Sequence, residues 1–229
     1  MLAGVVITIP YGGAQRDLYV TSSGEVAGGI NDKTAILLIQ KGDYMKVELK
    51  SIKGTWEDVA NRARTTVHKD ELGKEPSDTF KRKILRAEHS PIRSLIFNFK
   101  ITNVKSWVVT HLVRHHVGVE KWVRTQRTDR TGVNRDELPQ GEEIEMELEA
   151  NTQALINMSR KRLCNQASPE TREVMEAMKE EVRKHDKFVA EVMVKECVYR
   201  GYCPEMWSCG YDKTEKFKEE VEKYRNIKG

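Results

Sequence analysis

The stretch Thr110–Arg130 reads Thr-His-Leu-Val-Arg-His-His-Val-Gly-Val-Glu-Lys-Trp-Val-Arg-Thr-Gln-Arg-Thr-Asp-Arg. It combines three histidines with four arginines, namely His111, His115, His116, Arg114, Arg124, Arg127 and Arg130. If its first half is helical, His111, Arg114 and His115 share one face of one turn, because they stand at positions i, i+3 and i+4. Gly118 then predicts a break in the helix, followed by irregular chain. Such a concentration of guanidinium and imidazole groups predicts a surface that binds anions.

The composition of the chain is that of a soluble globular protein. Of its 229 residues, 38% are hydrophobic and 32% are charged, and the net charge is +4. This excess is far below the dense basic surface of a dedicated nucleic-acid binder, so we expect no nucleic-acid partner. The apolar run at the N-terminus is too short to span a membrane and has no basic residue before it. We therefore expect a cytoplasmic protein without a membrane partner, whose cysteines are reduced.

Short apolar or alternating runs, separated by turns rich in glycine and serine, make residues 1–54 β-rich. The strands predicted there are Val5–Ile9, Leu18–Thr21, Ala35–Gln40 and Met45–Ile52. A further strand is predicted at residues 95–102, where Phe97, Phe99 and Ile101 alternate with more polar residues. This strand leads directly into the helix that would carry His111.

The rest of the chain has the periodicity of helices. The first predicted helix starts at Thr55 with a capping-box-like Thr-Trp-Glu-Asp, and the next two cover Ser77–Ala87 and about Glu142–Cys164. A fourth helix starts at Ser168 and reaches the 190s. A last helix near the end of the sequence has Phe217, Val221 and Tyr224 on one apolar side. The predicted fold class is therefore α+β, with a β-rich N-terminal region and a sheet packed against long helices. We expect one domain, 1–229, divided into the β-rich region 1–54, a core 55–195 and a cysteine-bearing extension 196–229.

Two blocks of sequence are similar to the motifs of a known family. The first is Arg114-His115-His116 followed by Thr125-Gln126-Arg127, and the second is Arg135-Asp-Glu-Leu-Pro139 followed by Asn151, Asn157 and Arg162. The segment His89-Ser-Pro91 precedes both. Together they resemble the flavin-dependent thymidylate synthases, particularly divergent members of the phage type. The similarity covers roughly residues 55–190.

The resemblance implies a homotetramer in which several subunits build each active site, located in the cytoplasm, or in the host cytoplasm if a phage encodes it. Its cofactors would be FAD, NADPH and methylenetetrahydrofolate, and its substrate dUMP. In such enzymes the folate methylene group passes to C5 of dUMP, and the flavin, reduced by NADPH, supplies the hydride that gives dTMP. By position, the dUMP-binding residues would be Thr125, Gln126, Arg127, Arg135 and Arg162, with Thr125 and Arg162 also catalytic. The FAD-binding residues would be His89, Arg114, His115, His116, Asn151 and Asn157.

Two departures from the family pattern affect the expected site. His116 stands where the family has an arginine, so a permanent cation is replaced by a group that is largely neutral at pH 7. Gln153 also stands where the family usually has an arginine. A related reaction, hydroxymethylation of dUMP or C5 methylation of dCMP, therefore stays open as an alternative.

Several alternative interpretations of the same residues carry no flavin chemistry. His111 and His115 have the i, i+4 spacing of zinc ligands, but no third ligand is evident, and no metal site is predicted. Asn151 and Arg162 would then be a buried hydrogen-bonded pair within an apolar stripe. The cysteines at 197, 203 and 209, with Cys164, are spaced more widely than usual zinc ligands, which favours buried reduced thiols over a metal site. The alternative from another class is a non-catalytic basic module that binds nucleic acid through residues 111–130.

Overall fold

The computed structural model describes residues 4–11, 14–21 and 45–227, and the chain divides into two compact units, Met1–Tyr44 and Met45–Gly229. In the first unit, strands β1 (Gly4–Tyr11) and β2 (Ala14–Thr21) pair antiparallel, from Gly4 opposite Thr21 to Tyr11 opposite Ala14. These pairs confirm the first two predicted strands. The predicted strand Ala35–Gln40 lies outside the described residues.

The second unit contains a four-stranded antiparallel sheet in the order β3-β4-β6-β5. Its strands are β3 (Lys46–Lys53), β4 (Ile96–Lys105), β5 (Val119–Val123) and β6 (Glu143–Asn151). Strand β4 confirms the alternating pattern, because Phe97, Phe99 and Ile101 are fully buried on one face. Strand β5 was not predicted, and it forms one edge of the sheet.

The predicted helix over Glu142–Cys164 is wrong in its first half. Residues 143–150 alternate glutamate with Ile144, Met146, Leu148 and Ala150, a two-residue period that is typical of a strand. Strand β6 pairs with β4 on one side and with β5 on the other, and Met146, Leu148 and Ala150 are buried. The apolar spacing that suggested a helix is also present, but the sheet pairs decide the outcome.

The helices of the second unit follow in chain order. They are α1 (Trp56–Thr65), α2 (Asp78–Arg86), α3 (Ser106–Leu112), α4 (Thr128–Thr131), α5 (Thr152–Arg162), α6 (Pro169–His185), α7 (Lys187–Val192), α8 (Glu196–Arg200) and α9 (Glu215–Arg225), with short 3₁₀ turns at Ser90–Ser94, Arg135–Glu137 and Tyr211–Lys213. The predicted N-caps are confirmed, including the Thr55–Asp58 capping box and Ser168. None of the described helices is long and apolar enough to cross a membrane.

The helix predicted from Ser168 into the 190s is interrupted at Asp186. Its carboxylate accepts hydrogen bonds from the backbone N–H groups of Phe188 and Val189, at 3.0 and 3.1 Å, and so begins α7 as a new N-cap. Asp186 also accepts a hydrogen bond from Trp56 Nε1 at 2.8 Å. A local polar competitor therefore ends one amphipathic helix and starts another.

The hydrophobic core lies between the sheet and helices α5 and α6. Helix α6 packs against both β3 and α5. The core includes Leu148, Leu155, Met158, Met175 and Met178, all fully buried. Apolar burial on this scale is the main stabilising contribution to the fold, and it fixes the ends of α3, α5 and α6, which carry the polar residues of the candidate site.

Candidate active site

The basic stretch does not form one continuous helical face. Helix α3 ends at Leu112, so His111 is helical while Arg114 and His115 lie in the turn that follows. The prediction that the three share one helical turn is therefore wrong. Lys121 on β5 explains the early end, because its Nζ donates to the carbonyl oxygens of His115 at 2.6 Å and of Val113 at 3.3 Å.

Arg162, the last residue of α5, joins two histidines of this stretch. Its Nε donates to His115 Nε2 at 2.9 Å, and its guanidinium donates to the backbone carbonyl of His111 at 2.7 Å. Since Arg162 can only donate, His115 Nε2 must accept, which puts the remaining ring proton on Nδ1. Burial, with the charges of Arg162 and Lys121, lowers the pKa of His115 to about 4. His115 is therefore a neutral acceptor that orients Arg162.

His111 is held by the start of α6. Its Nδ1 is 2.9 Å from Thr171 Oγ1, and the same hydroxyl is 2.8 Å from Ser168 Oγ. Burial, followed by the charges of Arg162 and Arg114, lowers the pKa of His111. Thr171 is fully buried and was missed in the sequence. The only signal for it was its place in the first turn after the Ser168 cap.

Arg114 and His116 lie at the exposed edge of the cluster. His116 Nδ1 is 3.0 Å from the Arg114 carbonyl oxygen. Burial and the nearby charge of Arg114 both lower the pKa of Arg162. Among the described residues, the ion pairs include neither Arg114 nor Arg162. The positive charges of these two guanidinium groups therefore repel each other, and no carboxylate neutralises them. This arrangement favours an anion between or beside them.

Asn151 closes the same region from the sheet side. Its side-chain Oδ1 accepts a hydrogen bond from the Ala154 backbone N–H at 2.9 Å and so caps α5. Its backbone N–H donates to the Gly118 carbonyl at 3.0 Å. Gly118 has φ +72°, and a Cβ there would lie 2.3 Å from Asn151 Nδ2. The helix break predicted at Gly118 is wrong in its position, because α3 already ends at Leu112. Gly118 instead supplies a left-handed backbone at a point where the Asn151 amide occupies the place of a side chain. Asn151 and Arg162 do not form a pair with each other, since each is hydrogen-bonded to other residues.

The predicted flavin residue Asn157 belongs to a second polar group on the other side of α5. Gln153 Nε2 donates to Glu88 at 2.6 Å and is 3.4 Å from Asn157 Oδ1. Glu88 also pairs with Arg160 and adopts a left-handed φ of +51°. His89 follows directly and is exposed. Glu88 anchors this group and was not predicted, since its only signal in the sequence is its position next to His89.

The predicted nucleotide residues after β5 form a third group. Thr125 and Gln126 line an open surface cavity of about 250 Å³. Thr125 Oγ1 accepts from the Arg127 N–H at 3.2 Å, and both ends of the Arg127 guanidinium are 2.9 Å from Asp129. Arg135 is exposed at the start of a 3₁₀ turn. In the described regions of the chain, no hydrogen bond or ion pair joins Thr125, Gln126, Arg127 or Arg135 to Arg162.

This architecture, an antiparallel sheet packed against helices, is similar to that of several solved structures. A UMP/dUMP methylase from Streptomyces cacaoi, bound with 5-bromo-dUMP, matches with a TM-score of 0.55 at 15% identity, over 66% of this chain and 97% of that chain. Two Helicobacter pylori structures, of thymidylate synthase X and of a flavin-dependent thymidylate synthase, both with FAD and dUMP, match with TM-scores of 0.56 and 0.54 at 14% and 16% identity. Each match covers 66% of this chain and 100% of the other.

The family model described as thymidylate synthase complementing protein matches residues 132–186. This range contains Arg135, Asn151, Asn157 and Arg162, the second block recognised in the sequence. The resemblance to the flavin-dependent thymidylate synthases is thus confirmed, and the low identities to the solved structures agree with a divergent relative. No curated protein matches the sequence.

Proposed function

We propose that this protein is a flavin-dependent thymidylate synthase. It would transfer the methylene group of methylenetetrahydrofolate to C5 of dUMP and use FAD, reduced by NADPH, to complete the methyl group of dTMP. The observation that carries the proposal is the geometry of Arg162. A guanidinium held by His115 and the His111 carbonyl, with no carboxylate partner among the described residues, is oriented for an anionic ligand.

Arg162 has the donors needed for dUMP. Two of its five N–H groups are used by His115 and the His111 carbonyl, so three stay available for a phosphate or a pyrimidine oxygen. A guanidinium beside the pyrimidine also stabilises its N3-deprotonated form, which raises the electron density at C5. Thr125 supplies a hydroxyl at the cavity after β5, and Gln126, Arg127 and Arg135 supply donors for the rest of the nucleotide.

The residues expected to hold FAD fit the cofactor in part. Arg114 is exposed and forms no ion pair within the described part of the chain, as a site for a pyrophosphate requires. The Asn157 amide and the exposed His89 lie beside the Gln153–Glu88 group and would offer hydrogen bonds to the cofactor. His116 and Asn151 complete the proposed set. His115 differs, since its Nε2 is committed to Arg162, and its contribution to FAD would be through Nδ1–H. When bound, FAD supplies the hydride.

A homotetramer with active sites shared between subunits is part of the proposal. Within one chain, the cavity that includes Thr125 and the cluster around Arg162 are separate groups, which is consistent with a substrate site completed by another subunit. Trp122 and Val123, on the edge strand β5, are 55% and 42% exposed, and large exposed apolar side chains of this kind favour a subunit interface. Sedimentation analysis of the purified protein tests the stoichiometry. The proposed location is the cytoplasm, or the host cytoplasm if a phage encodes the protein.

A related pyrimidine nucleotide is the second candidate substrate. The similarity to a UMP/dUMP methylase favours testing UMP beside dUMP, and the departures at His116 and Gln153 keep dCMP methylation and dUMP hydroxymethylation as candidates. Product analysis by tandem mass spectrometry distinguishes all four reactions, because the base and sugar fragments of the products differ.

The test of the proposed function begins with the absorption spectrum of the full chain after addition of FAD. Anaerobic NADPH should bleach the flavin band, faster with dUMP present, and dTMP should form with methylenetetrahydrofolate. Arg162→Gln should abolish dTMP formation, whereas Arg130→Gln, an exposed position on α4, is the matched control and should keep it. Absence of flavin binding, with salt-dependent binding of DNA or RNA instead, would overturn the proposal in favour of the basic binding module.

A further inference from the structure

The four cysteines, which the proposed reaction does not use, converge on one place in the fold. Cys164 follows the end of α5, Cys197 lies in α8, and Cys203 and Cys209 lie in the irregular segment before α9. All four line a single cavity of about 10 Å³, which is close to the volume that one water-sized atom needs. All four are free thiols. Sequence spacing alone did not show this convergence, because Cys164 and Cys197 are far apart in the chain.

The thiols are close enough to affect each other's ionisation. Burial raises the pKa of Cys164, and the neighbouring Cys209 and Cys203 raise it further. Burial, with Cys164 and Cys203 close by, raises the pKa of Cys197 to about 11.

The segment that carries two of these cysteines buries little of its apolar surface. Residues 201–210 contain no helix or strand, and Gly201 and Gly210 both have φ +81°. Its largest side chains, Tyr202, Met206 and Trp207, are 58%, 91% and 82% exposed. Apolar burial therefore contributes little to the conformation of this segment, and a cross-link between its thiols and those of α5 and α8 would fix it.

We propose that Cys164, Cys197, Cys203 and Cys209 form a closed tetrathiolate site for one divalent transition-metal ion, Zn²⁺ or Fe²⁺. Each thiol would release its proton to solvent, four metal–sulfur bonds would form, and no electron transfer takes place. Zinc and ferrous ions share this tetrahedral sulfur chemistry.

The thiols must turn inward for the ion to bind. Among the described residues, no group of three or more His, Cys, Asp or Glu side chains is already arranged to hold a metal ion. A cysteine side chain has one rotatable bond, and a change between its staggered positions moves the sulfur by roughly 3 Å. Four such rotations toward a shared cavity, two of them on an irregular segment, are a small rearrangement.

The metal site would have a structural role, because it would stabilise the end of α5 next to the candidate active site. Cys164 lies two residues after Arg162, at the end of α5. Metal coordination there would fix the end of the helix from which Arg162 reaches His115. All four positions would be filled by protein ligands, which is typical of structural sites and leaves no open position for catalysis.

Metal analysis of the untagged full chain tests this proposal. Protein produced with zinc and iron in the medium should contain about one ion per chain, and the analysis identifies which. Cys197→Ser and Cys209→Ser should each lose most of the metal, whereas Met206→Ser, an exposed position in the same segment, is the matched control and should keep it. A fall in the metal content of the control variant equal to that of the cysteine variants would contradict the assignment.

A measurement on the unmodified chain keeps the test valid if the cysteine variants do not fold. Reconstitution with Co²⁺ should give the intense visible bands of tetrahedral cobalt bound to sulfur, and a thiol-modifying mercurial should release one metal ion for every four thiols that react. The proposal is wrong if the chain stays metal-free after reconstitution with Zn²⁺ or Co²⁺ and all four native thiols react as free thiols. Neither result depends on flavin binding or dTMP formation, so the two proposals fail separately.

Discussion

The hydrogen bond between His115 and Arg162 should make the stability of the protein depend on pH, and His115→Gln should remove that dependence. The glutamine carbonyl can accept the Arg162 Nε–H as His115 Nε2 does, but it does not titrate. In the folded protein the pKa of His115 is lowered to about 4, whereas an unfolded histidine has a pKa of about 6.5. As the pH falls from about 6.5 to about 4, the unfolded chain binds a proton at His115 that the folded chain does not. Stability is therefore lost across this window.

The size of the effect follows from the same two pKa values. Their difference corresponds to at most about 3 kcal/mol of unfolding free energy. His115 is partly exposed, so solvent screening reduces the expected contribution to about 1–2 kcal/mol. His111, whose pKa is also lowered, adds a dependence in the same direction, which the His115→Gln variant should retain.

Urea unfolding between pH 7.5 and 4.5 measures the free energy of unfolding of the unmodified protein and of the His115→Gln variant, both without flavin. The protein concentration is kept fixed because subunit association shifts apparent stability. At pH 7.5 the His115→Gln variant should match the unmodified protein within about 0.5 kcal/mol, because the hydrogen bond is kept. At pH 4.5 it should be the more stable by about 1 kcal/mol. Parallel curves for the two proteins over the whole range would refute the assignment of His115 as a neutral acceptor.

Three further substitutions test the packing around the candidate site by thermal or urea unfolding. Gly118→Ala should destabilise the protein by about 2 kcal/mol or more, because it combines a left-handed backbone with a clash against Asn151, and an unchanged melting temperature would contradict the close approach. Asn151→Ala should lower the free energy of unfolding by about 1 kcal/mol through loss of the α5 cap. Asn151→Ser, whose hydroxyl can also cap the helix, should lower it by less. Glu88→Ala should cost about 2 kcal/mol, because it leaves the partly buried Arg160 unpaired, whereas Glu173→Ala, at an exposed position, should change stability by less than about 0.5 kcal/mol.

The sequence alone determined those elements whose signals are local. The capping box at Thr55, the helix after Ser77, the serine cap at Ser168 and the alternation along β4 were each predicted and are present. The family resemblance likewise rests on residue types at fixed spacing, and the matched range 132–186 covers its second block. Such features can be predicted from the sequence because they depend on neighbours within a few residues.

The tertiary structure decided the rest of the fold. Residues 143–150 carry both a helical and an alternating apolar spacing, and only pairing with β4 and β5 resolves the choice in favour of a strand. Lys121 ends α3 early by donating hydrogen bonds to the backbone carbonyl oxygens of Val113 and His115, which follow the helix. In both places, contacts with another element outweigh the local preference of the chain.

The roles of the site residues were decided in the same way. The sequence identified His115 and Arg162 as polar residues of interest, but not that one accepts a hydrogen bond from the other across 47 residues. Nor did it show that Thr171 holds His111, or that four distant cysteines line one cavity. Residue types and caps are set by local chemistry, whereas partners are set by which elements the burial of the core brings together.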